Sequence, residues 1–236
     1  MRILAWNVNH RARRKAIPRG LGEAIGALAP DLVALTEYVP SASHEDFTDI
    51  LGTIGLAHIR ISADVPKENR VLIASRWPLV EGNIHAPAIA PSVPSNALHV
   101  RVPERGIDLL GLRIPDYSRQ PAIRRKCWDW LLSAARPVAG RSFVIAGDLN
   151  TDPRYPRARC GDRIGQLVEA GFTHASPAQG ASYWTVNGHG VRIDHAFTSK
   201  SLTVLGAEYV TRVGEHLLVG GRDAYSDHAA LLVEIT

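Results

Sequence analysis

Residues 143–150 read Phe-Val-Ile-Ala-Gly-Asp-Leu-Asn, and this segment combines the pattern of a buried strand with polar residues at its end. The first four residues are apolar and include an aromatic and two β-branched side chains, which is typical of a strand. The run then reaches Asp148 and Asn150. A carboxylate at the mouth of a buried strand costs free energy to desolvate unless a cation or hydrogen bonds compensate it. We therefore interpret Asp148 as a candidate functional residue.

Other apolar runs in the chain also end at, or begin directly after, polar residues that could bind a metal ion or a phosphate. These polar residues are Asn7, Glu37, Asp194, Asp227 and His228. Residues 3–6 lead into Asn7, for example, and residues 32–36 lead into Glu37. Several such groups at one end of a sheet would form an oxygen-rich pocket, which suits Mg²⁺ or Mn²⁺. Such a site can neutralise a phosphate and stabilise a leaving oxygen.

Short runs rich in Val, Ile, Leu or aromatic residues recur from end to end and predict strands. They are Arg2–Trp6, Leu32–Thr36, Val71–Ser75, Leu98–Val102, Leu109–Ile114, Phe143–Ala146, His195–Thr198 and Ala229–Ile235. Apolar residues spaced three or four apart predict helices at Arg19–Leu28, Ala122–Ala135 and Asp162–Ala170, with Asp162 as a candidate N-cap. Because strands outnumber helices and several strands follow one another directly, we expect one α/β domain over residues 1–236, with mixed sheets packed together and helices outside.

The composition favours a globular protein outside the membrane. The chain has 236 residues, of which 45% are hydrophobic and 21% charged, which suits one domain with a sizeable core. No apolar run approaches the roughly 20 residues of a membrane-spanning helix. The first residues enter a strand-like run without the features of a signal peptide. Cys127 and Cys160 lack the spacing of a redox or zinc motif. We expect a cytoplasmic location, two unpaired thiols and no membrane partner.

Basic residues are clustered after three of the apolar runs. The clusters are residues 10–15 (His10, Arg11, Arg13, Arg14 and Lys15), a second group at Arg154, Arg157, Arg159 and Arg163, and a third at Arg119, Arg124, Arg125 and Lys126. The formal charge is +4 and the sequence pI about 9.3. Together the clusters would surround one end of the fold with positive charge, as expected for a groove that follows a nucleic-acid backbone. The alternative is that they are solvated charges on loops and helix faces.

The ordered motifs of the chain resemble those of the endonuclease/exonuclease/phosphatase family. They are Trp6-Asn7, Glu37, Ser75-Arg76-Trp77-Pro78, Gly147-Asp148-Leu149-Asn150, Arg192-Ile193-Asp194 and Ser226-Asp227-His228. The family includes abasic-site endonucleases, pancreatic-type deoxyribonucleases, sphingomyelinases and inositol-polyphosphate phosphatases. The resemblance spans residues 2–236. It implies an α/β fold with two mixed β-sheets packed as a sandwich and helices on the outer faces, in four layers ordered α-β-β-α.

The resemblance also implies a metal ion and its ligands. Glu37 would be the main ligand of Mg²⁺ or Mn²⁺, helped by Asn7 and, in some members, by Asp227. The reaction would be in-line attack of water on phosphorus, with catalysis chiefly from positioning and charge stabilisation. Taken alone, Asn7 could instead be a strand-end amide whose hydrogen bonds are satisfied within the fold.

Four further residues acquire catalytic roles through the resemblance. Asp148 would orient or deprotonate the attacking water, with Asn150 beside it. His228 would contact the scissile phosphate, and Asp194 would hold the imidazole in the useful tautomer through a hydrogen bond. Taken alone, Asp194 could be the ion-pair partner of Arg192. His195 should point to the other side of its strand, so we expect it to be packed or exposed rather than catalytic.

One position departs from the family pattern. Members place a His or Tyr on the strand before the long helix, where the side chain contacts the phosphate or the leaving group. The matching residue here is Arg113. Arginine cannot donate a proton usefully at neutral pH, but its planar fork binds phosphate well. We therefore include Arg113 among the candidate catalytic residues. The alternative is that Arg113 pairs with a nearby carboxylate such as Asp116 and fixes the strand end.

Three functions are compatible with these features. The leading hypothesis is a Mg²⁺-dependent hydrolase that cleaves phosphodiester bonds, as a nuclease acting on DNA. The alternative is a phosphodiesterase or phosphatase acting on a small-molecule or lipid phosphate ester, which needs only a local basic pocket. The third is a non-catalytic nucleic-acid-binding domain, although a disused site has no reason to retain costly carboxylates. No obligate protein partner is predicted.

Overall fold

The computed structural model describes residues 1–9, 17–40, 42–66, 68–90, 92–116, 118–221 and 223–236. Within these ranges the chain forms two mixed six-stranded β-sheets, two short two-stranded sheets and four α-helices. The basic run at residues 10–15 lies outside the described residues. None of the helices in these ranges is long and apolar enough to cross a membrane.

The first large sheet contains both ends of the chain. Its strands are β1 (Arg2–Asn7), β2 (Leu32–Tyr38), β3 (His58–Ile61), β4 (Arg70–Ser75), β13 (Val204–Val210) and β16 (Ala230–Ile235). They lie in the order β13-β16-β1-β2-β4-β3. β1 pairs with β2 in parallel and with β16 antiparallel. Since β1 and β2 are parallel neighbours, their carboxyl ends lie at the same edge of the sheet.

The second large sheet is formed by the middle of the chain. Its strands are β5 (Val80–Glu81), β6 (Ala97–Val102), β7 (Ile107–Arg113), β8 (Phe143–Asp148), β9 (Phe172–His174) and β12 (Asp194–Ser199), in the order β5-β6-β7-β8-β12-β9. The parallel pair β7–β8 places Arg113 opposite Asp148, and the antiparallel pair β8–β12 places Asp194 opposite the same residue. The register therefore brings an arginine and a second carboxylate to either side of Asp148.

Two hairpins add short sheets near the ends of these strands. One consists of β10 (Tyr183–Trp184) and β11 (Gly190–Val191), and the other of β14 (Arg212–Val213) and β15 (His216–Leu217). Backbone bridges connect Tyr183 to His228 and Val219 to Ser226. The first hairpin is thereby joined to the loop that precedes β16.

The helices cover the outer faces of the sheets. They are α1 (Arg19–Leu28), α2 (His44–Thr53), α3 (Pro121–Ala135) and α4 (Asp162–Glu169). Side chains alternate between the two faces of each strand. In β1, Leu4 and Trp6 pack with α1 and α2, whereas Ile3 and Ala5 pack between the sheets. In β8, Ile145 packs under α3 and α4 while the neighbouring residues face the other sheet. The predicted four-layer sandwich is confirmed.

Details at the helix ends differ from the prediction. Asp162 is not an N-cap: it already lies in the first turn of α4, after Gly161, and no side-chain cap is formed. The reason is that Cys160 has a left-handed backbone and Gly161 is already helical, so the turn is complete before Asp162. Its carboxylate accepts a hydrogen bond from Gln166 Nε2 at 3.0 Å instead. Cys127 and Cys160 are both buried and unpaired, as predicted.

Candidate active site

The predicted site residues lie together at one end of the sandwich. Six of them line a single pocket of about 340 Å³: Glu37, Arg113, Asp148, Asn150, Asp227 and His228. The other two are buried and contact members of this group, Asn7 through Asp148 and Asp194 through His228. Four of the eight, Asn7, Glu37, Arg113 and Asp148, lie at the ends of parallel strands, two in each large sheet.

Asp148 is the buried centre of the site. Its Oδ1 accepts the Asn150 backbone N–H at 2.9 Å, and its Oδ2 accepts both the Asn150 and the Asn7 side-chain amides at 2.9 Å. Asn150 can turn back in this way because it adopts a left-handed backbone, with φ of 49°, which asparagine tolerates. Burial, followed by the nearby charge of Asp194, raises the pKa of Asp148 to about 7. The Asp148 carboxylate is therefore a stronger base than an ordinary aspartate.

His228 is held by Asp194. The imidazole Nδ1 lies 2.8 Å from Asp194 Oδ2, and both side chains are buried. Asp194 is fixed in turn, because its backbone carbonyl accepts the Tyr209 hydroxyl at 2.8 Å. Burial lowers the pKa of His228, but the charge and hydrogen bond of Asp194 outweigh it with help from Asp148 and Asp227, and the pKa rises to about 10. The ring is therefore an imidazolium at neutral pH, with Nε2 3.5 Å from Asn7 Nδ2.

Arg113 bridges the two large sheets. Its Nη2 is 2.6 Å from Glu37 Oε1, and its Nε is 3.4 Å from Asp148 Oδ2. Arg113 therefore does pair with carboxylates, as the alternative held, but Asp116 is not its partner, because Asp116 pairs with Arg124 on α3. The reason is geometric: Arg113 is the last residue of β7, beside β8, whereas Asp116 follows Pro115 in the loop that leads to the helix.

The backbone at Glu37 is unusual for a strand. Its φ is 55°, in the left-handed region, and the register between β2 and β4 shifts between Leu35 and Tyr38. A bulge of this kind re-aims a side chain at the end of a strand. Strained backbone of this kind clusters at functional sites, where the surrounding structure enforces it. The position therefore supports a functional assignment for Glu37.

The contacts of three further residues, Asp227, Arg192 and His195, show which of them belongs to the pocket. Asp227 is half exposed at the pocket, 3.9 Å from His228 Nε2. Arg192 does not pair with Asp194, because its guanidinium donates to the carbonyls of Gly180 and Pro177 instead. His195 is buried, with Nε2 2.8 Å from the Thr151 carbonyl and Nδ1 3.0 Å from His174. It is a packed histidine, as expected.

The donor chemistry of the pocket fits a hard divalent cation. Four carboxylates, those of Glu37, Asp116, Asp148 and Asp227, line it, and oxygen is the ligand that Mg²⁺ and Mn²⁺ prefer. The raised pKa of Asp148, caused by burial and then by the charges of Asp194 and Glu37, reflects crowded negative charge that a cation would relieve. Asp148, Asp194 and His228 also place ligand atoms within 4.8 Å of one another. An imidazolium that donates to Asp194 is a poor ligand, so we interpret this trio as hydrogen-bonding machinery.

The sequence did not indicate the contacts of two serines at the site, or several of the residues that line the pocket. Ser226 Oγ donates to the Asn7 carbonyl at 2.6 Å and accepts the His228 N–H at 3.0 Å, which fixes one motif against another. Ser182 Oγ accepts the Asp194 N–H at 3.0 Å. Further lining residues are Tyr155, Tyr183, Thr185 and Ile193, together with Asp116 and two arginines of the predicted basic clusters, Arg124 and Arg159. Ser226 stands inside a recognisable motif, whereas Ser182 carries no signal in the sequence.

The basic clusters are less uniform than the sequence indicated. Of the four arginines after β8, Arg154 pairs with Asp152 at 2.7 Å, Arg157 with Asp162 at 3.5 Å and Arg163 with Asp129 at 2.9 Å. Arg159 alone of the four lines the pocket. In the cluster around α3, Arg124 is buried beside the pocket, while the other three are exposed.

Comparison with known proteins identifies the family and the fold. A model of the Endonuclease/Exonuclease/phosphatase family matches residues 4–228. An endonuclease/exonuclease/phosphatase from Beutenbergia cavernae has a similar structure, with a TM-score of 0.74 and 19% identity over 100% of this chain and 71% of that one. An AP endonuclease from Archaeoglobus fulgidus has a TM-score of 0.74 and 17% identity, covering 99% of this chain and 98% of its own. A 3′ phosphatase from Neisseria, bound to a product DNA hairpin, has a TM-score of 0.71 and 20% identity, covering 100% and 99%. No curated protein sequence gave a significant match.

Proposed function

The chain belongs to the endonuclease/exonuclease/phosphatase family of hydrolytic phosphoesterases, and from that premise we propose that it cleaves phosphodiester bonds in nucleic acid, with DNA as the favoured substrate and Mg²⁺ or Mn²⁺ in the site. The observation that carries the proposal is the convergence of a basic carboxylate, Asp148, with an imidazolium, His228, in one pocket. A base for water beside a fixed positive charge for phosphate is what hydrolysis of a phosphate ester requires.

Asp148 is the residue we assign to the attacking water. Its raised pKa, near 7, makes the carboxylate a competent proton acceptor near neutral pH. Asn150 and Asn7 both donate to the Asp148 carboxylate, so its orientation is fixed before the substrate binds. Water held by Asp148 would attack phosphorus in line with the bond that breaks.

His228 and Arg113 are the groups we assign to the phosphate. The imidazolium presents Nε2–H to the pocket because Nδ1 is engaged by Asp194. The Arg113 fork lies between Glu37 and Asp148, at the junction of the two sheets. Both groups carry positive charge that would stabilise the additional negative charge of the transition state. Asp194 acts through His228 and is a positioning residue.

Glu37, with Asn7 and Asp227, would hold the divalent cation. Glu37 and Asp227 supply carboxylate oxygens at the pocket wall, and Asn7 supplies an amide beside Asp148. When bound, the ion supplies positive charge that offsets the phosphate oxygens and the leaving oxygen. The left-handed backbone of Glu37 supports this assignment, because the fold maintains a strained conformation there.

A nucleic-acid substrate is supported by charge and by the fold. The chain is basic, and similar solved structures include an AP endonuclease and a phosphatase bound to a DNA product. The second candidate, a small or lipid phosphate ester, is favoured by one observation: Arg154, Arg157 and Arg163 are neutralised by local carboxylates and do not enter the pocket. A cytoplasmic location remains part of the proposal and is supported by the two free buried cysteines.

A panel of substrates tests the proposal. Purified protein is assayed with Mg²⁺ or Mn²⁺ on plasmid DNA, single-stranded DNA, a duplex with an abasic site, RNA and a bis-aryl phosphodiester. We expect turnover on DNA, and a loss of about 10²–10⁴-fold in Asp148→Asn. The matched control is Asp129→Asn, which changes an exposed carboxylate on α3 that does not line the pocket. Turnover of the aryl ester without turnover of any nucleic acid would favour the second candidate, and full activity in Asp148→Asn would refute the mechanism.

A further inference from the structure

Arg159 is a positively charged pocket residue to which the proposed hydrolytic mechanism assigns no role. It ends a short 3-10 helix at Arg157–Arg159, and its guanidinium carbon lies 3.8 Å from the centre of the Tyr155 ring. Both side chains line the pocket. Unlike the other three arginines after β8, Arg159 pairs with no carboxylate in the described part of the chain. A guanidinium stacked on an aromatic face is held in place while its in-plane N–H groups can still bind a ligand.

Arg124 is a second such charge, and it is buried. Its side chain is 3% exposed and lines the same pocket, where it pairs with the half-exposed carboxylate of Asp116. Its Nε is buried and has no hydrogen-bond partner among the residues that the structure describes. A buried donor without a partner costs free energy. The planar fork of arginine matches the oxygens of a phosphate.

The two arginines, Arg124 and Arg159, are called the arginine pair below, and both line the pocket that also contains Asp148 and His228. Arg159 is followed by Cys160, which packs in the same buried cluster as Cys127 of α3, the helix that carries Arg124.

We propose that the arginine pair is a second phosphate subsite, which binds the phosphate next to the scissile one in a polynucleotide. The assignment rests on the proposed function and adds a preference to it: substrates with two neighbouring phosphates are better than those with one. Under the proposed function, Arg113 and His228 bind the scissile phosphate. A second phosphate therefore needs other positive side chains to bind it. A small ester with a single phosphate would leave the arginine pair without a ligand.

Dinucleotides test the subsite. The substrates are thymidylyl-thymidine, which has one phosphate, and the same dinucleotide with an additional 5′- or 3′-phosphate. Cleavage of the internal diester is followed by chromatography, and the two phosphorylated forms establish on which side the second phosphate binds. The variants are Arg159→Ala and Arg159→Lys. The matched control is Arg157→Ala, because Arg157 lies on the same short helix, is 90% exposed and is absent from the pocket wall.

We expect the unmodified protein to prefer one of the two-phosphate substrates in kcat/KM. Arg159→Ala should lose on the order of tenfold to a hundredfold on that substrate, the scale of a charge-assisted hydrogen bond, and much less on the one-phosphate substrate. Arg159→Lys should keep part of the preference, and Arg157→Ala all of it. Arg124→Gln should act in the same direction, with a thermal melt to establish that the buried site still folds.

Two results would overturn the subsite: equal kcat/KM on one and two phosphates in the unmodified protein, or an equal loss on both in Arg159→Ala. Absence of turnover on dinucleotides and on plasmid DNA would refute the proposed function instead. In that case the subsite is tested by a binding measurement. The fluorescence anisotropy of a fluorescein-labelled oligothymidylate in EDTA gives its affinity for each protein. Equal affinity in Arg159→Ala and the unmodified protein would then reject it, and a loss confined to Arg159→Ala relative to Arg157→Ala would support it.

Discussion

Replacement of Arg113 by alanine should affect both stability and turnover, because this side chain lies between two buried carboxylates. Its Nη2 is 2.6 Å from Glu37 Oε1 and its Nε is 3.4 Å from Asp148 Oδ2. The side chains of Arg113, Glu37 and Asp148 are 15%, 9% and 1% exposed. Opposite charges about 4 Å apart attract by about 4 kcal/mol at an effective dielectric constant near 20. Removal of one partner from a buried pair costs about 3–5 kcal/mol, since the other is left uncompensated.

The expected stability change is therefore large. In EDTA, Arg113→Ala should lower the free energy of unfolding by about 3–5 kcal/mol, which corresponds to about 6–20 °C in Tm for a chain of this length. Saturating Mg²⁺ should restore part of the loss, because a cation that binds the folded state stabilises it. Mg²⁺ should also stabilise the variant more than the unmodified protein, whose guanidinium already offsets the same carboxylates.

Turnover separates the role of the charge from that of the fork. Arg113→Lys keeps the charge and loses the bidentate geometry, so kcat should fall about tenfold. Arg113→Ala loses both, and kcat should fall about a hundredfold or more. The matched control is Arg19→Ala, because the Arg19–Glu23 pair on α1 is exposed and should contribute less than about 1 kcal/mol. Urea unfolding with and without Mg²⁺, together with steady-state kinetics, gives both quantities. An Arg113→Ala protein with unchanged stability and unchanged kcat would refute the reasoning.

Three further predictions concern the metal ion, pH and salt. Removal of metal with EDTA should abolish turnover and Glu37→Gln should lower it about a hundredfold or more, while activity that survives exhaustive chelation would contradict the assignment. Burial lowers the pKa of His174 to about 3 from its usual 6.5, so stability should be full above pH 6.5 and fall by about 1.4 kcal/mol per pH unit below it. His174→Gln should reduce that slope in urea unfolding between pH 4.5 and 7, and an identical slope would show that His174 is not its source. The logarithm of DNA affinity should fall steeply with the logarithm of salt, and replacing the four cations within residues 11–15 by alanine should make the slope shallower by roughly 0.9 for each phosphate that the variant no longer neutralises. A slope near zero in the unmodified protein would favour a small substrate.

Most strands and the site could be predicted from the sequence because both depend on local patterns. A buried strand needs a run of apolar residues, and a polar residue that follows it directly marks the strand end, as at Asn7 and Asp148. Parallel neighbours in a sheet end at the same edge, so strand ends that are far apart in sequence meet in space. A single domain over residues 1–236 stays a prediction, supported by the apolar core that the two sheets share.

Elements with few buried residues could not be predicted in this way. In α2 only Phe47 and Leu51 are buried among ten residues, so the apolar spacing extends over one turn. In β13 every residue is partly or fully exposed, and a register shift lies between Val204 and Gly206. An edge strand of this kind is stabilised by its pairing with β16 rather than by a pattern of its own. Tertiary context, not local propensity, decides such segments.

The partners in ion pairs could not be predicted from the sequence either, because strand register determines which side chains meet. Asp116 is three residues from Arg113 along the chain, yet Arg113 reaches Glu37 on the other sheet. Likewise, Arg154 and Arg163 were part of a predicted basic groove, but Arg154 pairs with Asp152 and Arg163 with Asp129. A count of charges therefore overestimates the positive charge at the pocket, because arginines that pair with carboxylates outside the pocket wall do not contribute to it.

The charge balance of the pocket links the metal ion to the second phosphate subsite. The hydrolytic centre combines four carboxylates with two cationic side chains, namely Glu37, Asp148, Asp194, Asp227, Arg113 and His228. Its formal charge of minus two, with every group ionised, equals the charge that one divalent cation neutralises. With that cation in place the centre is close to neutral, so it could accept the scissile phosphate but would offer little attraction to another. Any further phosphate must then be attracted by positive charges that are not part of the hydrolytic centre. Arg159 is such a charge, because it lines the pocket and has no carboxylate partner among the described residues. Loss of the preference for two phosphates in Arg159→Ala, with hydrolysis of the one-phosphate substrate largely retained, is the behaviour that this division of charge requires.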